Sequence, residues 1–190
     1  MLEHDNPFWR FSLRLYGIER IKHACLRLQD ECQANVNLLL FAIWAAQQHL
    51  RFLPDRAHQQ PQLEAWHQDY TCILRRQRRQ LKVLADKGEP DEKEGLLHQM
   101  KQLIAEAELL SEKQEQAMLY FHYRQRQGLT PCEDRQAALI ENLARCLAAD
   151  SSPDPETLHI LLTVVLDDAE AAEASMRIIE FLAHARPEAP

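Results

Sequence analysis

Apolar residues recur along this chain at intervals of three and four, the spacing that places them on one side of an α-helix. Residues 6–53 predict three helices. Asn6-Pro7 has the form of a helix start, because asparagine accepts from free amides and proline at the first helical position lacks an N–H that would have no partner. The first helix runs from Phe8 to Tyr16 and ends at Gly17. The second, about Ile18 to Glu31, carries the stripe Ile21, Cys25, Leu28 and Cys32. The third, capped by Asn35, is predicted from Val36 to about Phe52. Its run Leu38 to Trp44 is apolar on nearly all sides, which marks it as the most buried helix. Pro54 is read as its stop and Asp55 to Pro61 as a loop.

Two longer periodic stretches follow. Leu63, Trp66, Tyr70, Ile73, Gln77, Gln80 and Leu84 keep the three-four spacing, with Leu74 and Leu81 beside them. Leu96, Met100, Leu103, Ala107, Leu110, Gln114, Ala117 and Phe121 alternate four and three without a break, the repeat of a coiled-coil seam. A turn at Lys87-Gly88-Glu89-Pro90 between them predicts a long antiparallel coiled-coil-like helical hairpin over 62–127, closed by Gly128, with both stripes buried. Over 130–185 a helix pair is predicted. Thr130-Pro131-Cys132-Glu133 matches a capping box for a helix through Ala148, and Ser152-Pro153-Asp154-Pro155 starts a last helix to about Ala183. That last helix is taken straight through Ile160 to Leu166, despite its β-branched residues, and Arg186 to Pro190 is expected to fray. The fold expected is all-α, a single-domain helical bundle spanning 1–190.

Composition agrees with helices. The 190 residues hold only 4 glycines, too few for a β-hairpin architecture or a glycine-rich phosphate loop. A net charge of −7 makes duplex DNA an unfavourable partner unless basic residues gather on one face. The start Met1-Leu2-Glu3 lacks a basic segment followed by an apolar one, and the longest apolar run is far short of the roughly 20 residues of a membrane-spanning helix. A cytosolic protein is expected. Five cysteines without a C-x-x-C pair fit reduced thiols better than a disulfide framework or zinc site.

One face does gather basic residues. Arg75, Arg79 and Lys82 align on a helix, as do Arg75 and Arg78, with Arg76 beside them and Ile73, Leu74, Gln77 and Leu81 expected inward. Guanidinium groups so placed can clamp a phosphate or an acidic segment. The plainer reading is a solvated face balanced by Glu106, Glu108, Glu112 and Glu115. Two E-x-x-H spacings, Glu64 to His67 and Glu156 to His159, resemble di-iron ligand pairs, but the apolar third helix offers no bridging glutamate. Asp167, Asp168, Glu170 and Glu173 form a single acidic turn, unanswered by the second that magnesium-diphosphate chemistry needs. No catalytic residue, metal site or cofactor is assigned.

The strings Asn6-Pro7-Phe8-Trp9-Arg10-Phe11-Ser12-Leu13-Arg14-Leu15-Tyr16, Ala24 to Asp30, Asn35 to Trp44 and Leu74-Arg75-Arg76-Gln77-Arg78-Arg79-Gln80-Leu81-Lys82 resemble a family of small bacterial helical proteins known only as a domain of unknown function. The resemblance implies a cytosolic helical protein and brings no activity. Where the family often has proline, this chain has Ile73, which predicts a continuous helix. The matched strings hold polar residues a packing core does not need. Trp9, Tyr16, Gln29, Asp30, Asn35 and Asn37, with Arg75, Arg76, Arg78, Arg79 and Lys82, are therefore expected to line one groove that binds a protein partner or an anionic ligand. The function expected is a non-enzymatic adaptor or regulator. Its alternatives are a small helical enzyme or carrier for a phosphorylated, isoprenoid-like ligand, and RNA or ribosome binding. Leu109, Met118 and Tyr120 are apolar outside the main seam, and two readings stay open for them: pairing with a second copy as a homodimer, or covering the other helices.

Overall fold

A computed structural model describes residues 1–53, 61–86, 93–148 and 151–185. The chain is mostly helical, with one two-stranded ribbon. In order it forms α1 (Pro7–Tyr16), α2 (Glu19–Glu31), α3 (Val36–Gln47), β1 (Leu50–Phe52), α4 (Pro61–Trp66), a π-helical turn (His67–Thr71) and α5 (Cys72–Asp86). There follow α6 (Lys93–Arg124), β2 (Leu129–Pro131), α7 (Arg135–Cys146), α8 (Pro155–Leu162) and α9 (Asp168–Ala185). Among the described residues no helix is long and apolar enough to cross a membrane.

α3 is the centre. Leu39, Phe41, Ala42 and Ile43 are fully buried, and α7 lies along α3 with α9 behind it. The Phe8 and Phe52 rings meet Phe41 edge-on, at centroid distances of 5.2 and 5.0 Å. Asn6 and Asn35 cap α1 and α3 through side-chain oxygens that accept from Trp9 and Asn37 amides, at 2.8 and 2.9 Å.

Several boundaries differ from the sequence reading. α3 stops at Gln47, not Phe52, because His49 takes a positive φ of 57° and Leu50–Phe52 pairs antiparallel with Leu129–Pro131. Fully buried Asn142 pins this ribbon to α3, donating to the Ala42 and Leu50 carbonyls while its oxygen accepts from Phe52 N–H at 2.6 Å. Thr130 and Pro131 therefore belong to a strand, and the cap of α7 is Asp134. The last predicted helix is two. α8 ends at Leu162, and a capping box of Asp167 and Glu170 starts α9, each carboxylate accepting from the other residue's amide. The turn at Lys87 to Pro90, Pro54, residues 55–60 and Arg186 to Pro190 lie outside the described residues.

The largest difference is the phase of the long helices. Ile73, Gln77, Gln80 and Leu84 are exposed, as are Leu96, Met100, Leu103 and Leu110, although Ala117 is buried as expected. The buried positions are Leu63, His67, Thr71, Arg75 and Leu81 on one side, and Glu108, Ser111, Glu115, Gln116, Ala117, Leu119 and His122 on the other. A π-helical turn spends five residues where an α-turn spends four, so it rotates the rest of its own helix, α5, by one position. The interior gained is polar, and it persists because its groups find partners.

Candidate functional site

The π-helical turn places the first two site residues. Cys72 N–H donates to the His67 carbonyl, five residues back, and the widened turn points His67 and Thr71 at α6. Opposite them stands Glu115, with no exposed surface. Its carboxylate accepts from Asn35 Nδ2 at 2.5 Å, Asn37 Nδ2 at 3.0 Å and Thr71 Oγ1 at 3.4 Å, and meets His67 Nδ1 at 3.1 Å. Asn35 and Asn37 begin α3, so the positive end of that helix dipole also faces the carboxylate. Gln116 Nε2 donates to Asn37 Oδ1 at 2.8 Å, and the Ser111 hydroxyl lies between Trp66 Nε1 and Thr71 Oγ1, at 3.0 and 2.8 Å. A carboxylate only accepts, so in the contact with Glu115 the donor is His67 Nδ1. The same Nδ1 also lies 3.1 Å from Asn35 Nδ2, which ties the ring to the start of α3 as well as to α6.

One turn further along lies an ion cluster. Buried Arg75 donates from Nε to Glu108 at 3.2 Å and from Nη2 to Glu112 at 3.1 Å, and Arg78 donates to both oxygens of Glu108. Two guanidinium and two carboxylate groups balance. Partners on α6 fall from Glu115 to Glu108 as the residues holding them rise from His67 to Arg78.

Above this network opens a cleft of about 860 Å³, walled by α2 and its following turn on one side and by the π-helical turn and α5 on the other. Arg76 and Arg79 line it with Arg75. Gln29, Gln33, Gln68 and Gln80 add amides, His67 and Cys72 lie along the same wall, and Val83 and Leu84 supply apolar surface. Exposed Arg79 pairs with exposed Asp30 at the rim. Exposed Arg76 has no acidic partner among the described residues. Burial raises the Cys72 thiol above its ordinary range, a tendency Arg75 partly offsets, so Cys72 is not an activated thiolate.

The residues expected to line one groove are thus divided. Gln29, Arg75, Arg76 and Arg79 meet at the cleft, and Asp30 joins them through Arg79. Trp9, Tyr16 and Asn37 line a separate small cavity of about 100 Å³ with Glu112 and Gln116, where burial holds the Tyr16 hydroxyl far above its usual range. Asn35 and Asn37 serve Glu115, Arg78 serves Glu108, and Lys82 is exposed outside the cleft lining. Met118 and Tyr120 are half-buried against the core, and exposed Leu109 lines the small cavity. Of the acids expected to balance the arginines, Glu108 and Glu112 do so, Glu106 is exposed, and Glu115 turns to amides and an imidazole. Glu64 bonds Gln68, and His159 meets Asp168, so neither E-x-x-H spacing gathers ligands. Among the described residues no group of three metal-ligating side chains forms.

Desolvation raises the Glu112 pKa above its ordinary 4.5, against the lowering pull of Arg75. Between pH 4.5 and the raised folded value the folded protein therefore holds a proton there that the unfolded chain has released, and stability contributed by Glu112 falls as pH rises through that window. Unfolding of wild type and Glu112→Gln from acid to neutral pH is expected to show this. The wild-type minus variant stability should decline with pH, and a flat or rising difference contradicts the assignment.

The family described as a protein of unknown function, DUF2390, matches residues 7–119, and the chain belongs to it. No curated protein and no solved structure matches the chain. The matched span contains every wall of the cleft and the whole Glu115 network.

Proposed function

We propose that this DUF2390 member is a non-enzymatic helical adaptor that binds an acidic segment of a protein partner in the cleft between α2 and α5. The observation that carries the reading is the division of labour among the arginines: Arg75 and Arg78 are bound to carboxylates of α6, while Arg76 and Arg79 face the open cleft. An exposed pair such as Arg79–Asp30 contributes little, about 1 kcal/mol or less, so an incoming carboxylate displaces Asp30 readily. Four glutamine amides match the donors and acceptors of an extended peptide backbone, and Val83 and Leu84 take an apolar residue beside its acids. The paired long helices, an antiparallel hairpin in this reading, make the arginine wall rigid through the ion cluster beneath it.

Capture on immobilised protein from the lysate of its own cells, with mass spectrometry of what is retained, tests this. Wild type retains a protein with an acidic segment, and Arg76→Ala/Arg79→Ala releases it with thermal stability unchanged. Equal retention by both contradicts the reading.

A second reading is favoured by His67, an imidazole that lines the arginine-bearing cleft while its Nδ1 meets Glu115. A carrier or enzyme for a phosphorylated ligand would use Arg76 and Arg79 for the phosphate and His67, held by Glu115, as a proton acceptor. Retention of only a small phosphorylated metabolite, lost in the same variant, would favour it. RNA as the ligand would instead give affinity that collapses steeply with salt.

A further inference from the structure

Much of the apolar stripe that the sequence places inside the long helix pair lies outside on α6, with Tyr70 and Ile73 exposed on the other arm. Tyr70, Ile73, Leu96, Met100, Leu103 and Leu110 are between 40% and 68% exposed. They do not scatter. On α6 they keep the four-three spacing, and on the other arm Ile73 follows Tyr70 by one turn. The two series converge on a groove of about 600 Å³ whose lining includes Trp66, Tyr70, Gln114, Met118 and Phe121. From that groove Ile73 is one turn onward along α5 and Leu110 one turn back along α6, while further along α5 Gln80 and Leu84 turn to the α2 cleft, so the longer part of the face is the α6 seam. The Trp66 and Tyr70 rings stack at 4.4 Å and fix the lower end. The acidic-segment cleft opens elsewhere, against α2, and shares neither Tyr70 nor any residue of α6 with this face.

We propose that this outer face is a homodimer surface, in which the paired helices of two copies meet stripe to stripe as a four-helix bundle. Its area argues for a second copy. At roughly 100 Å² left open by each of six side chains, the face presents about 600 Å². That reaches the upper end of what a monomer leaves contiguous, about 300–600 Å², and approaches the about 800 Å² per partner of a standard interface. The flanking groove enlarges it. The α6 seam with Tyr70 and Ile73 beside it forms half a bundle, and an identical surface supplies the complementary half through a two-fold axis. The unbroken four-three alternation along α6 is the pattern that seats such seams in one another. Gln114 lies at a seam position, where a polar side chain favours one register over its neighbours.

Sedimentation equilibrium of the full chain over a range of concentrations tests the proposal. Wild type is expected to give a mass rising to that of a dimer, and Leu103→Lys/Leu110→Lys to stay monomeric at every concentration. Both substitutions replace exposed side chains, so the variant's circular dichroism and melting at low concentration should match those of monomeric wild type. A wild type that remains monomeric at its highest soluble concentration overturns the second copy as occupant. A dimer that persists in the double-lysine variant places the interface elsewhere and overturns the proposal equally. Acidic-peptide binding should survive in the double-lysine variant, so failure of the dimer and failure of the cleft are separate results.

Discussion

Arg75→Ala is expected to lower the unfolding free energy by about 3–5 kcal/mol, the cost of removing one partner from a buried ion pair and stranding the other. The reason lies in its surroundings. Among the described residues Arg75 is the one guanidinium that touches both Glu108 and Glu112, and Glu108 is as buried as Arg75 itself. Without it, Arg78 alone faces two carboxylates, and burial already makes the charged form of Glu112 costly. Arg76→Ala, its exposed neighbour in sequence, is expected to stay within about 0.5 kcal/mol of wild type. Urea unfolding of the two variants separates a structural arginine from a binding one. Equal, small losses would mean that the cluster contributes nothing.

Glu115→Ala is the second large effect, expected at about 3–5 kcal/mol, since a fully buried acceptor for several donors disappears. Asn35, Asn37, His67 and Thr71 would each lose their acceptor at once. Glu115→Gln keeps the shape but brings an amide N–H₂ against other N–H donors, and should recover only part of the loss. The π-helical turn reports on the same substitution from another direction. Glu115 of α6 meets both His67 and Thr71, so amide exchange of residues 67–72 should accelerate in Glu115→Ala more than that of α8. A variant as stable as wild type, with a turn still protected, would show that the network follows from packing and does not organise it.

Much of the helical architecture is legible in the sequence because caps and apolar runs are local. Asn6 and Asn35 cap the helices their positions announce, and the all-round apolar run of α3 marks the centre. The ribbon was not legible, since Leu50–Phe52 reads as the end of an apolar helix until Asn142, 90 residues away, supplies its bonds. The helix phase failed for a different reason. Periodicity assigns apolar residues to the inside, and here a satisfied polar seam is buried while the apolar seam is open. A signal did exist: His67, Thr71 and Arg75 recur every four residues, and Glu108, Ser111 and Glu115 at three and four, one step beside each apolar stripe. Two parallel stripes on one helix leave the choice of the buried one to partners that only the fold brings together. The arginine run was visible, but which arginines are committed to Glu108 and which face the cleft depends on one rotation of the helix set by the π-helical turn.

The most direct test is amide exchange of the full chain with and without a glutamate-rich peptide, in low salt, repeated on Arg76→Ala/Arg79→Ala. The account predicts peptide-dependent protection confined to the C-terminal half of α2 with its following turn and to residues 67–84, absent in the variant. Unchanged exchange in wild type, or protection elsewhere that the variant retains, would contradict an acidic-segment cleft between α2 and α5.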